Sequence, residues 1–144
     1  MAARSWRLIA LRVILVVYAV GHLVTATLFL VWPAYFLEGA GPAPPWPISQ
    51  LQFGSWPPTH EGFMAVLAMY DVAVAVALLL AAWNPVRHAG IVVFAIILWV
   101  LHGSAHGALI LWGDSPSEYW AAVAELWVGA ALLLAFFPRA PARS

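Results

Sequence analysis

Hydrophobic residues occupy four long stretches of the chain, which are separated by short polar or proline-rich segments. The stretches cover residues 8–32, 62–83, 89–112 and 119–137. A helix that crosses the hydrocarbon core of a bilayer needs roughly 20 mostly apolar residues. The pattern therefore predicts an all-α fold, a four-helix antiparallel transmembrane bundle.

The composition agrees with that pattern. Of the 144 residues, 65% are hydrophobic and 8% are charged, whereas a soluble domain is about half apolar and a quarter charged. The helices leave no room for a soluble domain, so residues 1–144 are predicted to form a single transmembrane domain. Cysteine is absent, which removes disulfides and thiolate metal ligands. No large basic cluster is present that would bind nucleic acid.

Charge is distributed unequally between the two ends of the predicted bundle. With four spans, both tails and the link between the second and third helices share one side. That side carries all six arginines: Arg4, Arg7, Arg12, Arg87, Arg139 and Arg143. Basic residues stay in the cytoplasm, so both termini are predicted to be cytoplasmic, in a bacterial inner membrane with the lipid bilayer as the surrounding partner.

The connection between the first two helices, residues 33–61, is long and rich in proline and tryptophan. It holds seven of the eleven prolines, together with Trp46 and Trp56. Long connections are often lids or binding loops, and Trp also favours the membrane interface. The segment is therefore predicted to be an outer loop that acts as a lid, a docking surface or an interfacial anchor.

Five ionisable side chains interrupt the apolar stretches: His22, Asp71, His102, His106 and Glu125. Such residues are costly in hydrocarbon and are candidate functional residues by default. The first three lie about ten residues from the outer end of their helix, roughly 15 Å at 1.5 Å per residue. The other two lie at roughly 8–9 Å. The similar depths predict one inward-facing site in the outer half of the membrane.

A metal site is one interpretation of these five residues. His102 and His106 are four residues apart, so they share a helix face and can reach one ion. His22, Asp71 and Glu125 would complete the ligand set. Imidazole and carboxylate without sulfur suit Zn, Fe, Mn or Cu(II).

Three other interpretations stay open. Gly103 and Gly107 form a GxxxG motif that lets helices approach closely, within the bundle or between copies in a homo-oligomer. The polar groups would then only lock helix packing. Alternatively, His22 and His102 could hold a haem or pigment between two helices.

A metal-free site would pair His102 with Asp71, which would orient the imidazole for proton transfer. Its substrate would be lipophilic, such as a sterol, quinone or isoprenoid. In a rival hypothesis the chain is an accessory subunit of a larger membrane complex, which it contacts through the Pro/Trp loop and Trp99 or Trp127.

Residues 69–139 resemble an uncharacterised bacterial family of small four-helix integral membrane proteins. The matching features are Met69-Tyr70, the run Ala82-Trp83-Asn84-Pro85, a His-Gly pair in the third helix and Phe137-Pro138-Arg139. The resemblance implies the fold and topology only.

Overall fold

The computed structural model describes residues 2–32, 61–113 and 120–138. This part of the chain contains four α-helices: α1 (Ala2–Val31), α2 (Glu61–Trp83), α3 (Ala89–Trp112) and α4 (Trp120–Ala135). The all-helical fold class is confirmed. The predicted outer loop, residues 33–61, lies outside the described residues except for its last residue.

Three of the helices are long and apolar enough to cross a membrane, over Trp6–Val31, Ala65–Trp83 and Ala89–Trp112. The fourth is also apolar but has 16 residues, fewer than the roughly 20 that a span needs. It ends at Ala135 rather than at the predicted residue 137. Beyond that point the Phe137 amide donates to the Leu134 carbonyl, three residues earlier, at 3.3 Å, whereas an α-helix joins residues four apart. These helices indicate a membrane protein.

The buried and exposed residues are distributed as expected in lipid. Many buried positions are small, among them Ala19, Ala68, Ala75, Ala81 and Ala95. Small residues let helices approach closely, which supports packing where the surroundings are as apolar as the side chains. Large aliphatic and aromatic side chains are widely exposed, and Trp83 reaches 85%.

The chain divides into two compact units. The first unit comprises residues 1–20 and 75–144, and the second unit comprises residues 21–74. The first therefore holds all of α3 and α4 with the beginning of α1 and the end of α2. The second holds the end of α1 and the beginning of α2.

In the first unit, two arginines of α1 cap the ends of other helices. Arg7 donates to the carbonyl of Ala135, the last residue of α4, and Arg12 donates to the carbonyl of Trp83, the last residue of α2, at 3.4 Å. The last carbonyls of a helix have no partner within the helix and carry partial negative charge. Each guanidinium therefore satisfies an acceptor and stabilises a helix end.

Two short elements set the limits of α3. At its start, the Asn84 side chain accepts the Arg87 amide at 3.1 Å, and the His88 amide donates to the Asn84 carbonyl at 3.0 Å. Pro85, inside this turn, is buried. At its end, Gly113 adopts the left-handed conformation with φ of 80°, which favours glycine and stops the helix. Both limits agree with the sequence prediction of 89–112.

Candidate functional site

The second unit contains a hydrogen-bonded pair of ionisable side chains. His22 Nδ1 lies 2.7 Å from Asp71 Oδ1. The two side chains are 17% and 10% exposed, respectively, and Asp71 is the one buried polar residue among the described side chains. A carboxylate in an apolar environment needs a partner to remain charged, and His22 provides one.

The positions of neighbouring buried residues explain how the pair forms. Asp71 lies three residues after Ala68 and three before Val74, and both are buried. These spacings place Asp71 on the packed face of α2. His22 precedes the buried Ala26 by four residues, so it shares a face of α1 with that small residue.

The first unit contains a second polar pair, on α3. His102 Nε2 and His106 Nε2 are 2.8 Å apart, and the two rings stack with centroids 4.7 Å apart and planes inclined by 24°. His102 is exposed and His106 is half-buried. The predicted sharing of one helix face agrees with this contact, and the inward-facing site expected for His102 stays a prediction.

The GxxxG motif lies beside this pair and packs within the chain. Gly103 and Gly107 are both buried. A Cβ at Gly103 would lie 2.9 Å from Trp127 Cδ1 and Nε1, and one at Gly107 would lie 3.6 Å from Trp120 Cζ3. Of the two uses predicted for the motif, the structure thus shows close packing of α3 against α4.

Glu125 on α4 is exposed, and its predicted place in an inward-facing site stays a prediction. Its backbone carbonyl accepts a hydrogen bond from the Tyr18 hydroxyl at 3.2 Å. The same tyrosine lies over Gly129, where a Cβ would be 2.5 Å from the hydroxyl oxygen. Tyr18 also packs against Trp99, with ring centroids 4.3 Å apart.

The sequence suggested Tyr18 only as a possible proton donor, and neither its packing role nor Gly129 was predicted. Together with Trp99 these two residues join α1, α3 and α4 in the first unit. The available signal was a tyrosine and a glycine within apolar stretches, which does not by itself reveal a partner. Of the two tryptophans predicted as alternative contacts with a partner, Trp99 is 1% exposed and Trp127 is 46% exposed, and the contact itself stays a prediction.

The predicted metal centre finds no support in the described part of the chain. No group of three or more His, Asp or Glu side chains is placed there to hold an ion. Asp71 is paired with His22, in the second unit, whereas His102, His106 and Glu125 belong to the first unit. The joint five-residue site, the catalytic pairing of Asp71 with His102 and the haem held by His22 and His102 stay predictions.

No family model, curated protein or solved structure significantly matches the chain. The case for function therefore depends on the two polar pairs and their surroundings.

Proposed function

We propose that this protein is a multi-pass protein of a bacterial inner membrane in which His22 and Asp71 exchange a proton with a lipophilic molecule. The fold that we propose around this pair is an antiparallel four-helix bundle with both termini in the cytoplasm, as the resemblance of residues 69–139 also implies.

Contacts within the first unit support the antiparallel arrangement. Arg7, near the start of α1, reaches the last residue of α4. Gly103 lies against Trp127, and Gly107, further along α3, lies against Trp120, earlier in α4. As residue numbers increase along α3, the residues that they contact on α4 decrease in number, which is the pattern of two antiparallel helices. The arginines at the start of α1 and after α2 support a cytoplasmic location for that end.

The absence of cysteine makes this topology directly testable. Single cysteines at Ser5 and Ser144 should react with a membrane-impermeant maleimide only after the cells are opened. A cysteine at Ser117, between α3 and α4, should react in intact spheroplasts. Labelling of Ser5 from outside would contradict the proposed orientation.

The observation that carries the functional proposal is the 2.7 Å contact between His22 Nδ1 and Asp71 Oδ1. Asp71 as a whole is only 7% exposed. With Asp71 ionised, His22 donates its Nδ1 hydrogen to the carboxylate. In that tautomer Nδ1 carries the hydrogen, and the proposal assigns proton exchange to Nε2. The carboxylate also stabilises the imidazolium that forms when the ring accepts a proton.

The position of the pair along the helices favours a lipophilic substrate. His22 lies nine residues before the end of α1, and Asp71 lies ten residues after the start of α2. At 1.5 Å per residue both are roughly 14–15 Å from those helix ends. Molecules that reach this depth in a bilayer are themselves lipids, so sterols, quinones and isoprenoids are the substrate classes we propose.

Deuterium incorporation tests the proposal without knowledge of the natural substrate. The full chain in phospholipid nanodiscs is incubated in D2O with a sterol enone, a polyprenol or a quinone that carries an isoprenoid tail. Mass spectrometry then measures deuterium bound to carbon. We expect incorporation into at least one probe, and a rate about 100- to 10,000-fold lower in Asp71→Asn and His22→Ala, the range over which general acid–base groups contribute.

Thr27→Val provides a matched control. The Thr27 hydroxyl donates to the Leu23 carbonyl of its own helix at 2.8 Å, so its removal deletes an intramembrane polar group without touching the pair. This variant should retain the wild-type rate. Equal rates in wild type and Asp71→Asn, or no incorporation above protein-free nanodiscs for all three probes, would overturn the proposal.

A second candidate function, an accessory subunit, is favoured by the exposure of His102 and Glu125 on apolar helices. Polar groups in spanning helices rarely face lipid, so a partner protein would cover them. Extraction in mild detergent followed by native mass spectrometry tests this. A co-migrating membrane protein supports the subunit function, and a chain that always travels alone contradicts it. The absorbance spectrum of the same sample tests the haem alternative.

A further inference from the structure

The Nε2 atoms of the two α3 histidines point towards each other. His102 Nε2 and His106 Nε2 are 2.8 Å apart, and the rings are within 24° of parallel. In this contact one Nε2 carries the hydrogen and donates to the lone pair of the other. Two imidazole nitrogens that converge in this way can instead direct both lone pairs at a metal ion.

The backbone beneath the pair holds this arrangement in place. Each histidine directly precedes a buried glycine that packs against α4, Gly103 and Gly107 respectively. Rotation of α3 about its axis would either separate these glycines from the α4 side chains or make them clash. The histidines therefore keep their direction relative to α4, and such preorganisation lowers the cost of binding a ligand.

We propose that His102 and His106 chelate one transition-metal ion through their Nε2 atoms. Binding of the ion does not require the histidine pair to lose a proton. The hydrogen shared between the two Nε2 atoms moves to Nδ1 of the ring that carried it. Both neutral imidazoles then have a hydrogen at Nδ1 and a lone pair at Nε2.

The separation of the nitrogens selects the kind of ion. With metal–nitrogen bonds of about 2.0 Å, a distance of 2.8 Å gives an N–metal–N angle of about 90°. This is the angle between neighbouring ligands in square-planar and octahedral complexes, which Cu(II) and Ni(II) adopt, and it is narrower than the tetrahedral angle that Zn(II) prefers. The expected order of affinity is therefore Cu(II) above Ni(II) and Zn(II).

Two imidazoles do not complete the coordination sphere of such an ion. The described residues offer no group of three ligands. The proposal assigns the remaining positions to water or to the same pair in a second copy of the chain. Water as the further ligand predicts one ion per chain, and a second copy predicts one ion per two chains with four nitrogen ligands. Both forms require His102 and His106.

The test is a titration of the full chain in detergent with Cu(II) as the glycine complex, followed by electron paramagnetic resonance. We expect saturable binding and hyperfine splitting from imidazole nitrogen: two nitrogens at one Cu(II) per chain, or four at half that ratio. His102→Ala and His106→Ala should each lose saturable binding. His88→Ala, which removes a histidine from the turn before α3, should bind as the wild type does.

A second variant separates loss of the chelate from loss of the fold. Exchange of two side chains, Ser104→His together with His106→Ser, keeps the composition but places the histidines two residues apart, where they do not share a helix face. Ser104 is exposed, so the exchange leaves the packed face intact. We expect wild-type helicity by circular dichroism and no saturable binding.

Wild-type affinity in the exchanged variant or in His102→Ala would overturn the proposal. So would a Cu(II) signal without nitrogen splitting from the pair, or tighter binding of Zn(II) than of Cu(II). None of these results depends on the activity assigned to His22 and Asp71, so failure of the metal site leaves the deuterium experiment to decide that proposal separately.

Discussion

Tyr18 occupies the space that any side chain at Gly129 would need. A Cβ at this glycine would lie 2.5 Å from the tyrosine hydroxyl oxygen and 2.6 Å from Cζ, and the hydroxyl is held there by its hydrogen bond to the Glu125 carbonyl. The close approach of α1 to α4 in the first unit thus depends on the absence of a single methyl group.

Gly129→Ala should therefore destabilise the protein. The rigid ring of Tyr18 must shift, which breaks its bond to Glu125, and such overpacking costs about 1–3 kcal/mol. Gly90→Ala is the matched control, because a Cβ there meets nothing within 4 Å. It should leave stability equal or raise it by up to about 1 kcal/mol, the difference in helix propensity. Unfolding in sodium dodecyl sulfate, followed by tryptophan fluorescence, measures both.

The two glycines of the GxxxG motif should respond differently to the same change. At Gly103 a Cβ would lie 2.9 Å from Trp127 and 3.3 Å from the Cβ of Leu126, whereas at Gly107 the nearest atom is 3.6 Å away. We expect Gly103→Ala to lower the free energy of unfolding by about 1–3 kcal/mol and Gly107→Ala to be tolerated. If both variants lost the same free energy of unfolding, the contacts of these glycines with α4 would not explain the role of the motif.

The fold was predictable where local chemistry determines it. The limits of α3 follow from the Asn84-Pro85 turn and from Gly113, and the structure agrees with both. The start of α1 at Ala2 was missed because hydropathy marks only the part of a helix that enters lipid, and the polar turn around Arg4 continues the helix outside it.

The directions of the candidate side chains were not predictable from the sequence. A helix that is apolar on all sides gives no periodic signal for its packed face. The exposure of His102 and Glu125 could not be inferred for that reason. The partner of Asp71 depends on the rotation of α1 and α2 about their own axes, so the sequence suggested His102 whereas the structure pairs it with His22.

The His22–Asp71 pair should behave as a coupled unit in stability measurements. His22→Leu leaves the Asp71 carboxylate buried without its partner, which costs about 3–5 kcal/mol. Asp71→Leu should cost less, about 1–3 kcal/mol, because a neutral imidazole remains. The double variant should be close to wild type, since replacement of both partners by apolar groups removes the unsatisfied charge.

The same unfolding assay on all four proteins gives the coupling energy of the pair. Additive losses in the double variant would show that the contact contributes no energy of its own. Thr27→Val combined with His22→Leu supplies the comparison, because Thr27 bonds to its own helix and should add independently.

Arg7 should contribute to stability through the end of α4. Its guanidinium donates to the Ala135 carbonyl, where the partial negative charge of the helix favours a cation by about 0.3–1 kcal/mol. Arg7→Gln should lose about that amount, and high salt should weaken the wild type towards the variant. Arg87→Gln is the control, because Arg87 donates to the Asn84 side chain through its backbone amide, which the substitution leaves in place. If the difference in stability between the wild type and Arg7→Gln did not change with salt, the effect of Arg7 would come from packing rather than from its charge.

The bond between Arg7 and Ala135 also has a consequence for biosynthesis. The two residues are separated by 128 positions, which a ribosome working at about 5–20 residues per second needs roughly 6–26 s to translate. During that interval the Arg7 guanidinium cannot yet bind the Ala135 carbonyl. The contact that joins the start of α1 to the end of α4 can therefore form only after almost the whole chain has been synthesised.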